Sequence, residues 1–130
     1  MEDDPQQSKM FQLILLKLNY VNEITVLDNG LDALDYIFRR NNFKDVRPPD
    51  IIFLDLNLPG KSGVEILKEI KSAPDLKHIP VIILTSSNLK RDARLCYQNY
   101  ANCFITKPHS LAQFEGMMGC IGKLWMRTFA

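Results

Sequence analysis

Three polar side chains each close an apolar run in this sequence. Asp55 follows Ile51-Ile52-Phe53-Leu54, Thr85 follows Val81-Ile82-Ile83-Leu84, and Lys107 follows Cys103-Phe104-Ile105-Thr106. An acidic cluster, Glu2-Asp3-Asp4, stands just before the first stretch of helical period. If the runs are parallel strands, their carboxyl ends share one edge of a sheet, where ligands and chemistry collect in α/β folds. A carboxylate is a competent nucleophile toward phosphorus and forms an acyl phosphate. Such a transfer gathers negative charge on the phosphoryl oxygens, which Mg²⁺ neutralises when carboxylates, a carbonyl and waters hold it. Asp3 and Asp55 offer the carboxylates, and the main-chain carbonyl of Asn57 offers a third ligand. Lys107 would balance one phosphoryl oxygen as a point charge, and Thr85 would hydrogen-bond another.

These residues need a scaffold of alternating strands and helices, and the hydrophobic pattern supplies one. An amphipathic helix is expected over Gln6 to Leu18, with Met10, Leu13, Ile14 and Leu16 available to the core. Glu23 to Leu27 reads as a strand and Leu31 to Arg40 as a helix. Ile51 to Leu54 is apolar on both faces, as a central strand covered by helices on both sides must be. A helix over Ser62 to Ser72 points Val64, Leu67 and Ile70 inward. Val81 to Leu84 is a second doubly buried strand, Asp92 to Tyr100 a helix and Cys103 to Thr106 a short strand. Ser110 caps a last helix in which Leu111, Phe114, Met118, Ile121 and Trp125 recur at helical spacing. That helix also carries Gly116, Gly119 and Gly122, each about 1 kcal/mol poorer than Ala in helix propensity. Close packing on the sheet, or close approach of a second subunit, would account for them.

The 130 residues suit one domain with a single core. Sixteen Lys and Arg against fifteen Asp and Glu leave a net charge of +1, so no global field favours nucleic acid or an anionic membrane. Arg39, Arg40, Lys44 and Arg47 make a basic stretch without interleaved aromatics, which reads as a solvated loop. The longest apolar runs fall far short of the roughly 20 residues that cross a bilayer, and the acidic start does not resemble an export signal. Cys96, Cys103 and Cys120 lack metal-ligand spacing and fit packed thiols in a reducing cytoplasm. His78 and His109 have no metal partners at useful spacing and read as surface residues.

Glu-Asp-Asp-Pro at 2–5, Pro-Asp-Ile-Ile-Phe-Leu-Asp-Leu-Asn-Leu-Pro-Gly at 49–60, Ile-Pro-Val-Ile-Ile-Leu-Thr-Ser at 79–86 and Ala-Asn-Cys-Phe-Ile-Thr-Lys-Pro at 101–108 resemble the receiver domain of two-component response regulators. Within it they look most like the single-domain receivers that partner bacterial phytochromes. The resemblance implies a flavodoxin-like three-layer α/β/α fold with a parallel sheet, one receiver over residues 1–130 and no output domain. It implies that Asp55 accepts a phosphoryl group from a histidine kinase, with a phytochrome-like kinase as the candidate, and that Glu2, Asp3, Asp55 and the Asn57 main chain hold Mg²⁺. Thr85, Lys107 and Phe104 would relay the phosphorylated state, with a cis bond between Lys107 and Pro108. A cytoplasmic protein, not an enzyme in the ordinary sense, would signal through a protein surface. Homodimers would form through the fourth helix, last strand and last helix, with no nucleic acid or membrane as partner.

Two other classes share parts of this pattern. An aspartyl-nucleophile phosphatase needs a second carboxylate two residues after the nucleophile, where this chain has Asn57. A phosphorylation-independent interaction module on the same fold is argued against by the Asp55, Thr85 and Lys107 set. It is argued for by the amino terminus, where Glu2 follows Met1 directly and the apolar first strand of a receiver is missing. The sheet is therefore expected to hold four strands, starting at Glu23, Ile51, Val81 and Cys103, with a gap between the first two.

Overall fold

Val81–Thr85 is buried along its whole length, and its side chains divide by period two between two apolar layers. Val81 and Ile83 face one core cluster, and Ile82 and Leu84 face the other. Each such side chain stabilises the fold by about 1.5–3 kcal/mol when buried, so this segment can only be the middle of a covered sheet. In the computed structural model, which describes residues 1, 5–17, 24–86, 89–108 and 110–121, the order is α1 (Pro5–Lys17), α2 (Gly30–Ile37), a 3-10 turn (Asn41–Phe43), β1 (Ile52–Leu54), α3 (Gly63–Ser72), β2 (Val81–Thr85), α4 (Lys90–Gln98), β3 (Cys103–Thr106) and α5 (Leu111–Ile121). The strands are parallel in the order β1-β2-β3, with Ile52 opposite Val81 and Ile82 opposite Cys103.

Helices α2, α3 and α4 cover one face through Leu34, Ile37, Ile66, Leu67, Ile70 and Cys96, and α1 and α5 cover the other through Ile14, Leu15, Phe114, Met118 and Ile121. The Phe11 ring of α1 meets Phe53 and Phe114 edge-on, at centroid distances of 4.8 and 5.5 Å. Side-chain caps start three helices. Asn29 Oδ1 accepts from Asp32 N–H at 2.9 Å, Ser62 Oγ from Glu65 N–H at 3.3 Å and Ser110 Oγ from Gln113 N–H at 3.1 Å, each worth about 1 kcal/mol.

Several expectations need correction. Glu23 lies outside the described residues, but Ile24 to Leu27 belong to no ladder, so the described sheet has three strands rather than four. The sequence there has strand propensity, yet a strand exists only against a neighbour, and the position between this segment and β1 holds no described strand. Nor does the segment close up against β1. Instead Ile24 packs on the α1/α5 cluster and Leu27 on the other.

In α1 the buried pair is Ile14 and Leu15, while Leu13 and Leu16 are 61% and 53% exposed. Val64 is half-buried, with Ile66 beside Leu67 and Ile70 taking the inward positions of α3. In α5, Phe114, Met118 and Ile121 are buried as expected, but Leu111 is exposed, and Trp125 and Gly122 lie outside the described residues. A Cβ at Gly116 or Gly119 would meet nothing within 4 Å, so neither glycine is there for packing on the sheet. The Lys107–Pro108 bond is trans, since the described residues contain no cis peptide; trans is the form an X–Pro bond favours. Of the cysteines, Cys96 is a packed thiol as expected and Cys103 half-buried, but Cys120 is exposed. Burial, reinforced by the Asp92 charge, pushes the Cys96 thiol up to about 11.

Candidate functional site

Asp55 comes directly after β1, where the apolar run stops and the chain turns into the Leu56–Ser62 loop. Two constraints fix that loop. Gly60 turns it with φ of 84°, a left-handed conformation that glycine adopts without steric cost. Gly63 then begins α3 so close beneath the strand end that an added Cβ would sit 2.4 Å from Asp55 O and 2.7 Å from Leu56 Cα. Its N–H donates to Leu56 O at 3.0 Å. Any side chain at 63 would push the Asp55 main chain out of place. Sequence reasoning missed this residue; its only signal was a glycine directly after a helix-capping serine.

The carboxylate itself is buried, with Asp55 6% exposed overall. Lys107 Nζ donates to Oδ2 at 2.9 Å, and the Asn57 N–H donates to Oδ1 at 3.1 Å. Lys107 reaches the site because its own N–H donates to Thr85 O at 2.7 Å, which extends the β2–β3 pairing by one residue beyond the strands. Thr85, fully buried at the end of β2, stands between the other two in sheet order. Burial works to raise the Asp55 pKa. The Lys107 ammonium, the Asn57 N–H and the Thr85 hydroxyl together outweigh it and hold the carboxyl below the usual aspartate value. Asp55 is therefore a buried, ionised carboxylate towards which an ammonium, an amide and a hydroxyl all donate.

The structure thus brings Asp55, Thr85 and Lys107 together, and it sets the Asn57 N–H, rather than the carbonyl expected to face a cation, on the Asp55 carboxylate. Phe104 is one residue from the register partner of Leu84, half-buried against the α2/α3/α4 cluster, and its N–H donates to the Tyr97 hydroxyl at 3.1 Å. Glu2 and Asp3 lie outside the described residues. Their neighbour Met1 does not. Its amino group donates to Phe53 O at 2.8 Å, and its carbonyl accepts from Asp55 N–H at 3.2 Å. The ligand atoms that the described site offers a cation are the Asp55 carboxylate oxygens, which suit a hard divalent cation rather than a soft one. Among the described residues no three His, Cys, Asp or Glu side chains gather into a metal site, at Asp55 or elsewhere. His78 is exposed as expected, and His109 lies outside the described residues. Arg39, Arg40, Lys44 and Arg47 are all exposed, as a solvated loop requires. No helix among the described residues is long and apolar enough to cross a membrane.

Comparison with known proteins agrees with this geometry. The family model for the response regulator receiver domain matches residues 1–118. The response regulator Rcp1 of Synechocystis is 36% identical over 127 residues, which span 98% of this chain and 86% of that protein. The crystal structure of the Mn(2+)-bound form of Rcp1 superposes with a TM-score of 0.92 at 36% identity, covering 98% of this chain and 92% of the other. The phosphorylated cyanobacterial phytochrome response regulator RcpA gives a TM-score of 0.93 at 35% identity, covering 98% and 91%. A family model over most of the chain and relatives of the same fold over nearly its whole length agree, and the chain belongs to the response regulator receiver family of two-component signalling.

Proposed function

We propose that Asp55 is the phosphoacceptor of this receiver, taking a phosphoryl group from a phosphohistidine of a sensor kinase. The observation that carries this is the Lys107–Asp55 contact at 2.9 Å on a buried, ionised carboxylate. In the transfer, one Asp55 oxygen forms a bond to phosphorus while the phosphorus–nitrogen bond breaks, and the electron pair stays on the imidazole, which takes a proton from solvent. Lys107 moves its charge from carboxylate to phosphoryl oxygen, and Thr85 hydrogen-bonds another phosphoryl oxygen. Glu2, Asp3, Asp55 and the Asn57 main-chain carbonyl are the residues that would hold Mg²⁺. When bound, the cation neutralises the phosphoryl charge. The Mn(2+)-bound Rcp1 relative supports this cation class.

Incubation with acetyl phosphate and Mg²⁺, followed by intact mass, is expected to give one phosphoryl adduct that Asp55→Asn abolishes. An adduct that survives in Asp55→Asn would overturn the assignment. The same assay separates a phosphoacceptor from a phosphorylation-independent interaction module. The phosphatase reading is disfavoured by Asn57, whose side chain cannot act as a general acid and whose N–H is already on Asp55.

On this reading the chain is one receiver unit over 1–130. It is a signalling partner rather than an enzyme, is cytoplasmic, and passes its state through Thr85 and Phe104 to a protein surface. The likeness to a phytochrome response regulator favours a phytochrome-type kinase as donor. The face of α4, β3 and α5 suits a second copy of the chain. Gly116 and Gly119 look onto open space there, and Leu95 and Tyr97 are exposed. Sedimentation is expected to show a dimer that Gly119→Leu dissociates; a monomer in both would remove the dimer.

A further inference from the structure

The loop from Leu56 to Ser62 brings one donor to the Asp55 carboxylate, the Asn57 N–H at 3.1 Å from Oδ1. Leu56 and Leu58 bury their side chains and root the first half of the loop, and Gly63 N–H holds Leu56 O. Asn57, Pro59 and Gly60 are exposed, so burial does not fix the outer half. A different element holds it. Gly30, the first residue of α2, donates its N–H to Pro59 O at 2.8 Å and lies buried against Lys61.

A Cβ at position 30 would sit 2.4 Å from Lys61 O, 2.7 Å from Lys61 Cβ and 2.9 Å from Lys61 Cα. The backbone fixes all three atoms, and none can rotate away, so a side chain there must shift the helix or the loop. The helix is pinned on its inner face by Ala33, Leu34 and Ile37, at 0%, 5% and 2% exposure. The exposed loop therefore gives way. Leu31 completes the contact. Its side chain is 59% exposed, yet its Cγ lies 3.5 Å from where a Cβ of Gly60 would stand, over the residue that turns the loop at φ of 84°.

We infer that Gly30 and Leu31 are positioning residues for the phosphoryl transfer: from α2 they clamp the outer half of the 56–62 loop and so hold the Asn57 N–H on Asp55. Their role in the transfer rests on Asp55 being the phosphoacceptor. The amide restrains rotation of the carboxylate, and a transfer rate depends steeply on how the attacking oxygen is oriented. Both residues act through the loop.

Solvent exchange of the Asn57 amide, read by NMR on the metal-free chain, reports the clamp without phosphoryl chemistry. The initial rate of phosphorylation by acetyl phosphate and Mg²⁺ reports its use. Gly30→Ala is expected to speed Asn57 exchange about tenfold and to slow phosphorylation by about as much. Leu31→Ala, which removes only the cover on Gly60, is expected to move both about threefold. Ile37→Val loosens the buried face of the same helix; it is expected to lower Tm and to leave both readouts at their wild-type values. Unchanged Asn57 exchange in Gly30→Ala would overturn the inference. So would faster exchange with a wild-type rate, because the loop would then move at no cost to the transfer, and so would equal changes in Ile37→Val, because general loosening would account for them. If Gly30→Ala does not fold, Leu31→Ala, altered at an exposed side chain, decides by the same criteria. No adduct in wild type would overturn both the phosphoacceptor reading and the role in transfer; Asn57 exchange, which needs no phosphoryl group, tells that failure apart from failure of the clamp.

Discussion

Two lysines at opposite ends of the same sheet separate chemistry from scaffold. Lys107, at the carboxyl end, holds a buried carboxylate at 2.9 Å. Lys71, at the amino end, donates to Lys77 O at 3.0 Å, Ile79 O at 2.8 Å and Asn102 Oδ1 at 3.0 Å. Those three acceptors match the three donors of an ammonium, all are neutral, and burial draws the Lys71 pKa below the ordinary lysine value. Asn102 Oδ1 also accepts from Val81 N–H at 2.9 Å, so Lys71 ties α3 to the starts of β2 and β3. A cation whose partners are fixed neutral oxygens can only hold structure. A cation whose partner is an ionised carboxylate would, on the proposed reading, follow the charge when that carboxylate is phosphorylated.

Exchanging each lysine for alanine breaks this contrast or confirms it, and the largest expected effect is functional. Phosphorylated Lys107→Ala is expected to lose the conformational response at Phe104, read as amide chemical-shift change on adding acetyl phosphate and Mg²⁺, while Lys71→Ala keeps it. A wild-type response in Lys107→Ala would remove the relay role. The second effect is on stability. Lys71→Ala strands three acceptors and is expected to cost about 2–3 kcal/mol in urea unfolding. Asn102→Ala is expected to cost less, and the double variant less than the sum, because both act on one network. Strict additivity would mean that the two residues work separately.

The third effect concerns acid. The Asp55 pKa is lowered on folding, so its stabilising contribution is full above the unfolded carboxyl value, about 3.9, and fades as pH falls through the folded value. Lys107→Ala leaves burial to raise that pKa, and the acid-unfolding midpoint is expected to move upward relative to wild type. Lys71→Ala lacks a carboxylate partner and is expected to leave the pH dependence near Asp55 unchanged, though the whole curve drops. An unmoved acid midpoint in Lys107→Ala would show that the ammonium contributes little to holding the carboxylate ionised. The smallest effect is at the β3 edge, where Tyr97→Phe removes the acceptor of Phe104 N–H and is expected to cost about 1 kcal/mol.

The site was legible where a polar residue ended an apolar run. Asp55, Thr85 and Lys107 each stand one residue past a short run with strand pattern, and parallel strands bring such ends together. The Lys71 network was invisible because a lysine late in a helix looks solvated, and its asparagine partner is 31 residues away. Ile24 to Leu27 looked like a strand because β-branched residues carry a local signal. Ladder membership, however, depends on the neighbouring chain, which local composition does not encode. The α1 face slipped by a residue for a related reason: Leu13, Ile14, Leu15 and Leu16 are all apolar, so only packing against α5 and Phe53 selects the middle pair.

Tyr97 gives the sheet a direction. On β3 the outward Phe104 N–H is taken by its hydroxyl, and α4 lies over that side. On β1 the outward groups beyond Met1 face no described strand. Stacking copies strand to strand without limit, as fibrils do, requires two sticky edges on every copy. With the Phe104 N–H already taken, a phenol over β3 acts as a stop: the donor that a further copy would need in order to extend the stack on that side is spoken for.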